Sequence, residues 1–439
     1  MSESKKVPVV SKELLFPFII ITSLFALWGI ANDLTNPMVS AFKKVMPELS
    51  NLQASLVQSA FYFGYFFMAL PAALFIRKYS YKSGIILGLA LYAIGAFMFY
   101  PAAAFENFNF FLVSLWIITC GLSFLETTAN PLVLSLGSKK TATRRLNFAQ
   151  AFNPVGSLTG MIIAQVFVLS ALRSDNYSGE AYAALSSDEM ATIRENDLEV
   201  ISLPYIALGI LVLVIMGIII FTKIPNTAKE DKMSLSESFY KLFANKNYLG
   251  GVLAQAACVG SQIMCWTFIF QYVDNLNATY DLEITATNFN IAAMILFLSG
   301  RWIGTGLMKK TNPSKILMMF GALGASCALG AVLLPGMPGL ISLVLVSVFM
   351  SIMFPTIYGI ALKDMGDEAK IGSAGLVMAI VGGAFMPPVQ AAILDLGGDG
   401  FNDILFLGYI PEVNFSFILP MICLSIVGFY GFKTIKSNN

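Results

Sequence analysis

Three charged side chains lie inside long apolar stretches of this chain: Asp33, Glu126 and Arg301. A charge at bilayer depth is costly on any scale, so residues of this kind are candidates for function. Asp33 is three residues from Asn36, with Asn32 and Thr35 beside them and Pro37 next. Side chains three apart share a helix face, so this pair can present a carboxylate and an amide to one interior cavity. The proline should disturb the local hydrogen-bond ladder. The other reading of Asp33 places it near the membrane surface, capping a broken helix. Glu126 and Asn130 form an i,i+4 pair, again followed by a proline, Pro131. A permanently charged glutamate in mid-span is expensive. A carboxyl that is neutral when buried and ionises when its surroundings change is a natural proton-coupling switch. Its alternative role is a structural hydrogen bond to a neighbouring helix.

Amides mark a second theme. Asn147, Gln150 and Asn153 recur every three residues and run into Pro154. Together with Gln58 they form a ladder of donors and acceptors suited to a polyhydroxylated ligand. Helix–helix adhesion is the competing use, at about 0.6–2 kcal/mol per contact. In the second half Gln255, Gln262 and Trp266 can share a face. Gln262 is placed to bind a hydroxyl, and Trp266 offers an apolar surface to a sugar ring unless it serves only in packing. Asn288 and Asn290 open the following apolar stretch, which carries Arg301 towards its end. Arg301 either snorkels to the membrane surface, pairs with an acid between the halves, or acts as a gate. Gly382, Gly383 and Ala384, followed by Pro387 and Pro388, read as a gating helix or a packing seam. Gln390 adds a further polar candidate.

The elements that must position these residues follow from composition. The chain has 439 residues, 57% hydrophobic and 12% charged, against roughly 25% charged in soluble domains. Twelve apolar runs are expected to span as helices, at about 15–40, 52–76, 83–104, 110–136, 146–170, 202–222, 248–272, 288–308, 315–334, 339–362, 372–395 and 412–432. The fold class is therefore an all-α polytopic membrane protein. Residues 1–222 form an amino-terminal six-helix half, 223–247 a cytoplasmic linker and 248–439 a carboxy-terminal six-helix half. With both termini inside, 22 of the 27 Lys and Arg fall on the cytoplasmic side and four outside, as the positive-inside rule requires. The clusters Arg77–Lys78–Lys82, Lys139–Lys140–Arg144–Arg145 and Lys309–Lys310–Lys315 attract lipid headgroups or latch the halves together. The net charge of +1 gives no field for nucleic acid. The five cysteines lack metal or disulfide spacing, and there is no histidine, so no metal site is expected and proton chemistry must use carboxylates. No Walker loop or nucleophile elbow occurs, which argues against ATP-driven pumping and hydrolysis.

The chain resembles the fucose–proton symporters of the major facilitator superfamily and the related glucose/galactose permeases. In the amino half the resemblance rests on NLQASLVQSAFYFGYFFMALPA, SYKSGIILGLALYAIGA, LETTANPLVLSLG and RLNFAQAFNPVG. In the carboxyl half it rests on CWTFIFQY, GRWIGTGLM, SIMFPTIYGIALKDMG and KIGSAGLVMAIVGGAFMPPV. It implies a major facilitator fold, two six-helix bundles around a cavity that opens alternately to each side of a bacterial inner membrane. It also implies a proton-linked role for Glu126 and sugar contacts at Gln150 and Asn153. The family's second carboxylate position matches Asn36, with Asp33 one turn earlier on the same helix.

The expected activity is proton-coupled uptake of a neutral monosaccharide, L-fucose or a related hexose. Glu126 and Asp33 would couple the proton, and Asn36, Asn130, Gln150, Asn153, Gln262 and Trp266 would line the sugar cavity. Arg301, Gly382, Gly383 and Pro387 would gate or pack. The partners are the sugar, H+ and the lipid bilayer, the proton gradient is the energy source, no cofactor is needed, and a monomer suffices. A sodium-linked or uncoupled carrier of hexoses or N-acetylhexosamines, and a sugar receptor that does not transport, are the alternatives.

Overall fold

Backbone amides in hydrocarbon must pair within their own segment, which makes helix the form for long apolar runs. The structure, a computed structural model, describes residues 8–35, 38–46, 48–49, 51–177, 185–224, 234–396 and 404–436. Among them, twelve helical stretches are long and apolar enough to cross a membrane. They are Lys12–Thr35, Ala60–Lys78, Tyr81–Ala104, Phe108–Ser135, Lys139–Ala171, Ser187–Phe221, Lys246–Tyr280, Ala286–Leu307, Pro313–Leu333, Met337–Ala361, Ala369–Leu394 and Glu412–Ile435. A two-stranded hairpin, Leu405–Phe406 paired with Ile410–Pro411, precedes the twelfth.

Three boundaries differ from expectation. The sixth span begins at Ser187, well before residue 202. A capping box starts it in polar sequence: the Glu189 amide donates to Ser186 Oγ at 3.4 Å, and the Ser186 amide donates to the Glu189 carboxylate at 3.1 Å. The helix then runs uninterrupted into the apolar run. The seventh span continues to Tyr280 after an interruption at Phe268. The first span is helical to Thr35, and a separate helix covers Met38–Val45. Asn36 and Pro37 lie outside the described residues.

Several spans are broken helices, and in the fifth and tenth the break falls beside a proline. The fifth consists of Ala142–Gln150 and Asn153–Ile163, with Pro154 in the first turn of the second piece. The tenth consists of Met337–Met350 and Met353–Ala361, with Pro355 similarly placed. In the eleventh, a 3₁₀ turn Ala379–Val381 joins Ala369–Met378 to Gly382–Leu394.

Contacts gather the chain into two units. One comprises Lys12–Leu132 and Phe152–Asp231; the other comprises Met1–Ser11, Val133–Ala151 and Lys232–Asn439. The loop between the fourth and fifth spans, with the start of the fifth, thus packs with the carboxy-terminal spans. In the first unit the first and fifth spans meet along a seam of small residues. A Cβ on Gly156 would collide with the Ala26 carbonyl, so only glycine permits that approach. Lipid supplies no hydrophobic drive between helices, and close backbone packing of this kind takes its place. The third and sixth spans meet through Phe99 and Tyr205, stacked 3.7 Å apart. In the second unit the hydroxyl of Tyr272 donates to the Ala331 carbonyl and accepts from Asn414 Nδ2 at 2.9 Å.

The basic cluster at 139–145 holds two kinds of residue. Lys139 is exposed and pairs with exposed Asp364 at 3.2 Å, whereas Arg145 is fully buried. Its guanidinium donates to the carbonyls of Val133, Leu134 and Val9 and to Thr141 Oγ1. Arg145 therefore caps the end of the fourth span, where cations suit the helix dipole. A headgroup role does not apply to it.

Candidate functional site

The first unit carries both carboxylates. Glu126 sits within the unbroken helix Phe108–Ser135 and is 6% exposed, and its Oε2 is buried without a hydrogen-bond partner among the described residues. An ionised carboxylate left this way is costly, whereas a protonated one has less to lose. Asp33 is half-buried near the end of the first span. In the second span Tyr65 lies near Glu126 and Tyr62 near Asp33. Tyr65 also donates a long 3.5 Å hydrogen bond to Asn32 Oδ1. These tyrosines, three residues apart on one face, were not singled out from the sequence. Their signal was the i,i+3 spacing in FYFGYFF.

The amides of this unit are partly committed. Asn130 is fully buried and donates to the Glu126 carbonyl on its own helix at 3.0 Å. Asn153, half-buried where the fifth span resumes, donates to the Phe25 carbonyl at 3.3 Å. The side chain of Gln58 is outside the described residues.

The second unit holds the remaining candidates. Gln150 is the last residue of the helix Ala142–Gln150 and is 3% exposed. One turn earlier, Asn147 Nδ2 donates to Thr356 Oγ1 of the tenth span at 3.1 Å. Arg301 is 3% exposed. It neither snorkels nor pairs with an acid among the described residues: its guanidinium donates to the Gln150 carbonyl at 2.8 Å and to the Ser351 carbonyl. The Phe297 ring lies 4.8 Å from it. Trp266 packs edge-on against the same ring at 5.1 Å and donates its indole N–H to Ser347 Oγ at 3.1 Å. Asn290 Nδ2 donates to the Trp266 carbonyl at 2.9 Å, while Asn288 is exposed. Gln262 is 9% exposed with its amide nitrogen 3.8 Å from Cys258 Sγ. Gln255 is fully buried, with neither amide atom paired among the described residues.

In the eleventh span Gly382 and Gly383 are buried, and a Cβ on Gly382 would strike the Ala256 carbonyl of the seventh span. Pro387 and Pro388 lie inside the helix, and Gln390 Nε2 donates to Ser416 Oγ at 2.9 Å. The structure thus collects Asp33, Glu126, Asn130 and Asn153 in one unit and Gln150, Gln262, Trp266, Arg301 and Gly382 in the other.

Comparison with known proteins identifies the family. Residues 14–387 match the Major Facilitator Superfamily. Over 433 residues the chain is 52% identical to an L-fucose-proton symporter of Haemophilus influenzae, covering 98% of both chains. It is 34% identical over 426 residues to an L-fucose-proton symporter of Escherichia coli, covering 95% of this chain and 92% of that one. A Major Facilitator Superfamily transporter crystallised in the outward conformation superimposes with a TM-score of 0.85 at 33% identity, over 96% of this chain and 99% of the other.

Proposed function

Because this chain belongs to the Major Facilitator Superfamily, and within it to the fucose–proton symporter family, we propose that it carries L-fucose inward together with a proton by alternating access. It is a secondary active transporter of the inner membrane and not an enzyme. The proton gradient supplies the energy and no prosthetic group takes part.

The observation that carries the coupling is Glu126, buried in mid-span with Oε2 unpaired among the described residues. A proton taken from the outer side neutralises it and lowers the cost of keeping it in the bilayer. Asp33, reached through Tyr62 and Tyr65, tunes that site or shares the proton. Gln150, Asn153 and Gln262 offer amides to the sugar hydroxyls, and Trp266 offers an apolar face to the ring. Asn36 and Asn130 complete this proposed set, although the Asn130 nitrogen is already used within its helix. Gly382, Gly383 and Pro387 form the close-packed joint of the eleventh span. Both termini are assigned to the cytoplasm on the charge bias of the connecting segments, and one chain suffices for the cycle.

De-energised vesicles test this reading. Adding L-fucose to wild type should alkalinise the medium, and adding it to Glu126→Gln should not. Labelled fucose uptake without any pH change in wild type would sink proton coupling and point to a sodium-linked or uncoupled carrier.

A further inference from the structure

One arginine and two backbone carbonyls, each four residues ahead of a proline, meet in the second unit. Pro154 follows Gln150 by four residues, and Pro355 follows Ser351 by four. Proline has no N–H, so each deletes the ladder bond that the earlier carbonyl would have accepted. The carbonyls of Gln150 and Ser351 are thereby released, in a setting where water is scarce. Arg301, from the eighth span, donates Nη1 to the first and Nε to the second. Each carbonyl lies at the carboxyl end of a helical piece, Ala142–Gln150 or Met337–Met350. That is the negative pole of the helix dipole, which favours a cation. A buried guanidinium without an ion pair among the described residues is accounted for in this way.

We infer that Arg301 is a positioning residue of the transport cycle: it clamps the proline breaks of the fifth and tenth spans to each other. The pieces beyond the clamp meet along one seam. Asn147 bonds Thr356, and Gly359 packs so close to Thr143 that a Cβ there would sit 2.8 Å from its Oγ1. These contacts are weaker than a charged fork engaging two carbonyls. The clamp therefore decides how readily the seam opens, and it fixes the backbone of Gln150 beneath a side chain assigned to the sugar. This inference rests on the alternating-access reading, since a carrier that opens on the Lys/Arg-rich side must part the seam. The prolines make the clamp necessary. With an N–H at 154 and 355, both carbonyls would bond within their own helices and Arg301 would hold nothing.

The test reads the seam directly, without sugar or proton. A thiol introduced by Asn147→Cys is labelled with a membrane-permeant maleimide in vesicles, with the unmodified protein as the blank for native cysteines. Adding Arg301→Gln should raise the labelling rate about ten- to hundredfold, the equivalent of losing charge-assisted hydrogen bonds. Arg301→Lys keeps the charge but loses the fork, and should give a smaller rise. Pro154→Ala combined with Pro355→Ala, with Arg301 intact, should also raise it. Unchanged labelling in Arg301→Gln overturns the clamp, as does a rise in that variant with none in the proline pair. Should Arg301→Gln fail to insert, the Lys variant and the proline pair are read by the same criteria. Raised labelling alongside absent fucose-dependent alkalinisation in wild type would overturn the transport reading and leave the clamp standing.

Discussion

Glu126 and Glu126→Gln have nearly the same shape, so the difference between them isolates the proton. The glutamine variant should still exchange labelled against unlabelled fucose across a vesicle membrane, while gradient-driven accumulation falls to the external concentration. Loss of exchange as well would assign Glu126 to sugar binding. At Trp266 the indole N–H reaches Ser347 Oγ while the ring leans on Phe297. Trp266→Phe keeps the aromatic contact and loses one hydrogen bond, worth about 0.5–1.5 kcal/mol. The apparent KM for fucose should therefore rise about two- to tenfold, with the maximal rate little changed, as measured by initial uptake. Glu126 was legible in the sequence because an isolated charge in an apolar run has few explanations. Arg301 was legible as an anomaly but not as a clamp. Its acceptors are backbone carbonyls, which leave no trace in side-chain spacing, and the prolines that free them stand more than fifty residues from it in the sequence.

Elements in this protein are joined by proximity of backbone more than by bulk. At the seam of the first and fifth spans, Gly156→Ala would drive a methyl into the Ala26 carbonyl. Overpacking of that kind costs about 1–3 kcal/mol, so the purified protein in detergent should melt at a lower temperature. Gly217→Ala is the matched control, since nothing lies within 4 Å of the added methyl, and its melting temperature should be unchanged or slightly higher. The twelve spans themselves were plain in the hydropathy pattern. The early start of the sixth was not, because its first turns are polar and the pattern sought was apolar. The sequence SSDEM, with Ser186 and Glu189 three apart, held the missing start signal.

For the whole molecule, the asymmetry of basic residues makes a topological prediction. A fluorescent protein fused after residue 439 should fold and glow, and a phosphatase active only outside the cytoplasm should be inactive at the same point; the reverse pattern would invert the assignment. The sequence divides by its cytoplasmic linker into two proposed halves of six spans, whereas contacts gather Val133–Ala151 with the carboxy-terminal residues, a grouping that chain order does not display. The two proline breaks share one fastening without sharing an origin. In the parallel six-span repeats of this superfamily the fifth span answers to the eleventh and the tenth to the fourth, so neither break is a copy of the other. The fourth span carries its own Pro131 inside an unbroken helix. One bolt thus holds two joints of unlike descent, and whatever loosens it frees both at once.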